Sequence, residues 1–355
     1  MRSSAHVAAP TRSLRRDIIV IGASAGGLSA LLELARGLPE GFPAALFVVV
    51  HTSPDNPGVL PQILRRAGPL PAVLASDNQA ITTGRIYVAP PDHHLTLKPG
   101  HVRVTRGPRE NGFRPAVDPL FRTAARAYGR RVIGVVLSGG LNDGTHGLAR
   151  IVAHGGLGIA QDPQDALIPS MPLSAIQNVE VARVLKAVDL APALTELVHA
   201  TIETLEEHAE TMPAETPDIA ETGDSLRVHA PPGTPAPYTC PECGGALWEV
   251  EEGRNLLRFR CHVGHAFTAE ALLSEQDANF DNALWRALRA LEENADLSRR
   301  MAERADRAGL ADLARRYTAS SDEVEASARI IRNVLQREGL SRSPQPADPD
   351  PKTPR

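Results

Sequence analysis

Three side chains of the types that carry out acyl transfer occur in chain order, Ser24, His51 and Asp143, each just past a short apolar run. A serine hydroxyl is a weak nucleophile until a base takes its proton. Histidine can be that base near neutral pH, and a carboxylate can fix the imidazole tautomer and stabilise the imidazolium that forms. The serine sits in Gly22-Ala23-Ser24-Ala25-Gly26-Gly27, whose small residues let an ester carbonyl approach the backbone. Two backbone amides are candidate oxyanion donors: Ala25 at a helix N-terminus, and Gly140 in the loop leading to Asp143. A donor of this kind is worth roughly 3 kcal/mol. Taken singly, the three residues have ordinary readings. Ser24 fits an N-cap, His51 before TSPDNPG fits a turn, and Asp143 before Gly144 fits a turn or cap. Their coincidence at strand ends is what favours chemistry.

A second cluster has metal-ligand spacing. CPECGG and RCHVGH place Cys240, Cys243, Cys261 and His265 as C-x2-C followed by C-x3-H, the two knuckles of a zinc ribbon. His262 is the poorer substitute for His265 because it directly follows Cys261. Three cysteines in one short stretch make an odd count that suits a metal better than a disulfide framework. Four protein ligands close the site, so the zinc is expected to be structural, and no cofactor is expected for catalysis. ALWEVEEG and LLRFR alternate like hairpin arms around Gly253 and would join the knuckles.

The elements that must position the first cluster alternate in type. Residues 17–22, 45–50, 132–139 and 157–161 are continuous apolar strands, of the kind buried on both faces of a parallel sheet. Helical patterns around Leu28–Ala35, 119–129 and 146–156 separate them. The fold expected is α/β, a doubly wound and mostly parallel sheet, in which functional residues gather beyond the carboxyl ends of the strands. Residues 85–107 alternate around Pro99-Gly100 and predict an antiparallel hairpin at the sheet edge. The domains expected are an arm at 1–15, the α/β domain at 16–200, a helix end and flexible linker at 201–237 and the zinc ribbon at 238–268. A helical region at 269–340 and a proline-rich tail at 341–355 follow. Leu284, Leu288, Leu291 and Ala295, then Val324, Ala328, Ile331 and Leu335, predict a helical pair broken near Gly309. This ribbon and helical pair are expected to be an interaction module.

Composition narrows the class. The 355 residues are 42% hydrophobic and 23% charged, a soluble globular balance too long for one typical domain. A net charge of -4 argues against nucleic acid and against an anionic membrane surface. No long apolar run or secretory signal is present, so the location expected is cytoplasmic, without membrane insertion. A nucleotide site is disfavoured because GASAGG lacks the G-x-G-x-x-G spacing and the second strand ends in His51 rather than a ribose-binding acid. The G-x-S-x-G elbow is present, but the order Ser, His, Asp is not that of the α/β-hydrolases.

Seven segments, IGASAGG, VVVHTSP, YVAPPDHHL, RPAVDPLFRTAA, VVLSGGLNDGTHG, GGLGIAQDP and PSMPLSAI, together resemble the catalytic domain of CheB-type chemotaxis protein-glutamate methylesterases over about residues 16–198. The resemblance implies a nucleophile at Ser24, a base at His51 and an orienting acid at Asp143. The reaction implied is hydrolysis of glutamate γ-methyl esters on chemoreceptors, with glutamine deamidation related, and the partner implied is a methylated chemoreceptor. Two departures accompany it. About 16 residues precede the first strand, too few for the usual receiver domain, so phosphorylation control in cis is expected to be absent. Gly140 also replaces a methionine whose amide is the family's proposed oxyanion donor. The Cys-and-His tail resembles those of receiver-less relatives. The contrasting reading is a non-catalytic adaptor with an esterase fold, acting through its tail. Oligomeric state is not legible.

Overall fold

The computed structural model describes residues 14–202, 233–251 and 257–341. The chain divides into two compact units, Met1–Leu273 and Ser274–Arg355. The first unit opens with β1 (Leu14–Arg15), β2 (Ile18–Ala23), α1 (Gly27–Gly37), β3 (Ala45–Val50), α2 (Leu60–Ala67), β4 (Ala72–Leu74) and β5 (Ile86–Val88). There follow β6 (His94–Lys98), β7 (His101–Thr105), α3 (Val117–Tyr128), β8 (Val132–Val136), α4 (Thr145–Ala153), β9 (Leu157–Gln161), α5 (Ser170–Asn178), β10 (Arg183–Leu185), α6 (Ala187–His199) and β11 (Thr201–Ile202). The Cys-rich segment supplies β12 (Thr234–Thr239), β13 (Ala246–Glu251), β14 (Leu257–Cys261) and β15 (Ala266–Thr268).

Seven strands form one sheet in the order β10-β9-β8-β2-β3-β5-β4, with every pairing parallel. β2 is buried at all six positions because helices cover both faces. Its side chains alternate between two cores. Ile19 and Ile21 join Leu31, Leu34 and Leu194 on one face, and Ile18 and Val20 join Val117, Leu120 and Phe121 on the other. The expected doubly wound α/β fold is therefore present. The strand expected at 132–139 ends at Val136, which releases Ser138 and Gly139 to turn beside Ser24. The hairpin around Pro99-Gly100 forms as β6–β7, closed as its own two-stranded sheet, whereas residues 86–88 join the parallel sheet as β5.

β12 to β15 form a four-stranded antiparallel sheet over a small core of Leu247, Phe259, Phe267 and Leu272. β12 begins inside the proline-rich stretch read as linker. It is an edge strand, where a proline's missing N–H breaks no ladder bond. β1 pairs with β11, so Leu14 and Arg15 of the expected arm are structured. The proposed turn at Gly253, residues 1–13, most of the linker and the tail from 342 lie outside the described residues.

α7 (Ala269–Arg307) and α8 (Ala311–Ser341) are joined by a turn with Gly309 at φ 73°. Leu288, Ala295, Ala302, Ala305, Ala314 and Ala328 are buried in the second unit, at the spacing expected for a helical pair. Ser321 donates across the pair to the Ala295 carbonyl at 2.9 Å. Among the described residues, no helix is long and apolar enough to cross a membrane.

Candidate active site

The sheet order reverses direction at β2, flanked by β3 and β8, and this is the place where a doubly wound sheet opens a crevice. Ser24 follows β2, His51 follows β3 and Asp143 follows β8. The structure brings the three together. His51 Nδ1 lies 3.1 Å from Ser24 Oγ, and His51 Nε2 lies 2.7 Å from Asp143 Oδ2. The His51 side chain is 3% exposed and that of Asp143 is fully buried.

Local backbone bonds set each position. Ser24 N–H donates to the Ser138 carbonyl at 3.0 Å, and His51 N–H to the Ala23 carbonyl at 3.1 Å. The N-cap of α1 is Gly26 at φ 78°, with no side-chain cap bond, so the Ser24 hydroxyl is not a cap. Gly144 holds the corresponding place before α4, which leaves Asp143 free of capping as well. Gly139 permits a close crossing of chains, since a Cβ there would fall on Met171 Sδ and lie 2.7 Å from Ser24 Cβ. Gly139→Ala is expected to lower stability by about 1–3 kcal/mol through this overpacking. Urea denaturation, read beside the activity of the same sample, checks it.

Asp143 receives donors only. Its Oδ2 accepts from His51 and from Val117 N–H at 2.6 Å, and its Oδ1 accepts from Asn111 Nδ2 at 3.0 Å and Asp118 N–H at 3.2 Å. Two of these amides are at the N-terminus of α3, an anion-favouring position. Burial alone would raise the Asp143 carboxyl, but His51 with Val117 N–H and the Asn111 amide holds it at about 2. Asp118 lies beside it and behaves oppositely. Burial, reinforced by the Asp143 charge, raises it to about 7 against the pull of Arg122, Arg258 and Gly147 N–H.

Sequence reasoning missed three residues here. Asn111 Nδ2 bridges the two carboxylates, reaching Asp118 Oδ2 at 3.2 Å as well as Asp143. Phe113 stacks on the His51 imidazole, with ring centroids 3.7 Å apart and planes 8° from parallel, and so fixes the ring plane. Asp118 is the third. Asn111-Gly112 was legible as a tight-turn dipeptide, with both residues at positive φ, but not as part of this site.

Ala25 follows the serine in the chain, and Gly140 follows Gly139, which packs against Ser24. Among the described residues, neither backbone N–H donates to a protein acceptor, whereas the Gly139 N–H is taken by the Ile168 carbonyl. Leu141, next to Gly140, holds φ 59°.

The second cluster also assembles. Cys240, Cys243 and Cys261 Sγ and one nitrogen of His265 all lie within 4.8 Å of one another. Cys243 to Cys261 is 3.7 Å, Cys240 to His265 Nδ1 3.7 Å and Cys261 to His265 Nδ1 3.5 Å. Zinc bonds of about 2.3 Å to sulfur and 2.0 Å to nitrogen give tetrahedral edges of about 3.5–3.8 Å, so the donor set fits that ion. Turns at each knuckle hold it: Cys240 N–H donates to the Gly245 carbonyl at 2.7 Å and Cys261 N–H to that of His265 at 3.0 Å. The hydrogen bond from Cys240, helped by His265 and Cys243 and opposed by burial, lowers the Cys261 thiol to about 3.

Comparison with known proteins gives a consistent result. The CheB methylesterase family matches residues 19–194. The chain is 40% identical over 190 residues to protein-glutamate methylesterase/protein-glutamine glutaminase 2 of Anaeromyxobacter dehalogenans, covering 54% of this chain and 56% of that one. It is 38% identical to a putative protein-glutamate methylesterase/protein-glutamine glutaminase of Leptospira interrogans, covering 49% of this chain and 91% of that one. The crystal structure of the Thermotoga maritima CheB methylesterase catalytic domain superposes with a TM-score of 0.50 at 35% identity, over 52% of this chain and all of that one. The chain spans about half the length of the first two curated relatives it matches.

Proposed function

We propose that this chain, which belongs to the CheB methylesterase family, hydrolyses glutamate γ-methyl esters on a receptor protein, with Ser24, His51 and Asp143 as nucleophile, base and orienting acid. The observation that carries the reading is the continuous hydroxyl–imidazole–carboxylate line at 3.1 and 2.7 Å. The Nε2 proton of His51 is donated to Asp143, which leaves the Nδ1 lone pair facing Ser24. Ser24 Oγ attacks the ester carbonyl as its proton passes to Nδ1. The imidazolium then protonates the departing methoxide, and methanol leaves an acyl-enzyme. Water, deprotonated by Nδ1, attacks that ester to give the glutamate carboxyl and free Ser24. Ala25 and Gly140 N–H are assigned to the oxyanion, each free of a protein acceptor among the described residues. A glutamine side chain would follow the same path with ammonia leaving, which matches the second activity in the relatives' names. The substrate protein is assigned as a methylated chemoreceptor.

Methanol release from a methylated receptor fragment tests this. Release by the wild type and not by Ser24→Ala is expected; no release by the wild type overturns it.

The Cys3His set is assigned to one structural zinc held by Cys240, Cys243, Cys261 and His265. With four protein ligands no position opens to substrate, and the ion would neutralise clustered thiolates and tie β13 and β14 to both knuckles. Metal analysis of protein prepared in reducing buffer without chelator is expected to find one zinc per chain. A content well under one counts against the site.

A further inference from the structure

Residues 110–113 form a four-residue turn that touches both the His51–Asp143 pair and the small sheet that carries Cys261. Glu110 and Phe113 exchange backbone bonds at 3.2 and 2.9 Å, while Asn111 at φ 53° and Gly112 at φ 79° make the reversal. On one side, this turn meets the catalytic line, through the Asn111 amide on Asp143 and the Phe113 ring on His51. On the other, it is held by the Cys3His module. Asn111 N–H donates to the Ala266 carbonyl at 2.7 Å, and Thr268 N–H donates to Asn111 Oδ1 at 2.9 Å. This second bond fixes which way the Asn111 amide faces, so its NH2 group is the one presented to the carboxylates.

Beneath the turn, Glu110 is 1% exposed and lies between Arg122 of α3, at 2.8 Å, and Arg258 of β14, at 2.5 Å. A buried carboxylate between two guanidiniums is a fixed joint, since separating either partner strands a charge away from water. The module grips the Asp143 loop a second time. Thr268 Oγ1 donates to Asn142 Oδ1 at 2.7 Å, and Asn142 Nδ2 donates to Glu270 Oε2 at 2.7 Å. Asn142 immediately precedes Asp143 in the chain, so the module meets the acid both through Asn111 and through the residue before it.

We propose that the Cys3His module is a clamp on the esterase site, and that Asn111 is the positioning residue through which β14 and β15 hold Asp143 against His51. The clamp sets the turnover rate and leaves substrate binding unchanged, because Asn111 and Arg258 act on the carboxylates Asp143 and Glu110 rather than on Ser24. Without it, the two buried carboxylates lose their shared donor, and the Val117 and Asp118 amides are left to hold Asp143 against the imidazole. Burial and then the Asp143 charge raise the neighbouring Asp118, and Arg122 with Arg258 of the module pulls the other way. The proposal rests on the esterase reading of the triad.

The test is a double-variant cycle in the full chain, with kcat and KM for methyl-ester hydrolysis measured for wild type, Asn111→Ala, Arg258→Gln and the pair. Asn111→Ala is expected to lower kcat by about 10- to 100-fold, the worth of one hydrogen bond to a buried charge, with KM within about twofold. Arg258→Gln is expected to lower kcat in the same direction, and the pair to lose less than the product of the single losses. This holds even if Arg258→Gln unfolds the module, because a lost clamp acts on the same support. Losses that multiply, an Asn111→Ala kcat within twofold of wild type, or a loss confined to KM overturn the proposal. A substrate-free readout runs beside it, the downfield NMR resonance of the proton between His51 and Asp143. It is expected in the wild type and lost or shifted in either variant. A wild type that shows the resonance but releases no methanol overturns the esterase reading alone. Variants that keep the wild-type resonance overturn the clamp alone.

Discussion

Ser24→Ala is expected to lower kcat for methyl-ester hydrolysis by about a millionfold, down to the catalysis that bound geometry and oxyanion donors supply without a nucleophile. The loss is chemical rather than structural. The Ser24 hydroxyl bonds to His51, caps no helix, and is set in place by its own backbone amide on the Ser138 carbonyl, which alanine keeps. Unfolding in urea should therefore give a stability within about 0.5 kcal/mol of wild type. Methanol release and urea titration on one preparation separate the two. Residual turnover within a few-fold of wild type would remove Ser24 from the mechanism.

Asp143→Asn is expected to cost about 10⁴-fold in kcat, the size found when a triad acid becomes an amide and the wrong tautomer results. Here the geometry explains why no rotamer rescues it. Each Asp143 oxygen accepts from two donors: His51 and Val117 N–H on one, Asn111 and Asp118 N–H on the other. An amide NH2 turned either way opposes two donors. Turned towards His51, it forces the imidazole proton onto Nδ1, which then faces Ser24 as a donor and cannot take its proton. Turned away, it faces Asn111 and the start of α3 and disorders the acid itself. Stability should also fall, by about 1–3 kcal/mol, because buried donors are left facing the amide NH2. Single-turnover measurement of methanol release checks the rate, and thermal unfolding checks the fold.

Much of the scaffold was legible because its strands are uniform. IIVIGA and ALFVVV carry an apolar residue or glycine at every position, which only a sheet covered on both faces tolerates. The meeting of Ser24, His51 and Asp143 was legible for a related reason: strand ends in such a sheet converge, and three reactive types at three ends are informative together. The grouping of Cys240, Cys243, Cys261 and His265 was legible from local spacing, since two knuckles each bring their own pair. Asn111, Phe113 and Asp118 were not, because their roles depend on a turn and a helix start approaching from elsewhere in the chain. Asn-Gly announces a reversal and not what its side chain meets. The joint between Glu110 and Arg258 is likewise invisible locally, for an acid and a base far apart in sequence are ordinary surface residues until the fold buries both. The position of β12 was missed because proline argues against strands in general, and only the edge of the small sheet accepts it.

The pairing of β2 with both β3 and β8 also orders events in time during synthesis. A chain emerging from its amino end offers Ser24 and His51 to each other as soon as β3 lies beside β2, through a connection with a helix of its own. Asp143 arrives only when β8 inserts on the other flank, a pairing between distant segments and so among the slower steps. The strand that braces Asn111, Ala266–Thr268, is made later still. A nascent chain on the ribosome thus carries Ser24 and His51 long before it carries Asp143 and the strand that braces Asn111.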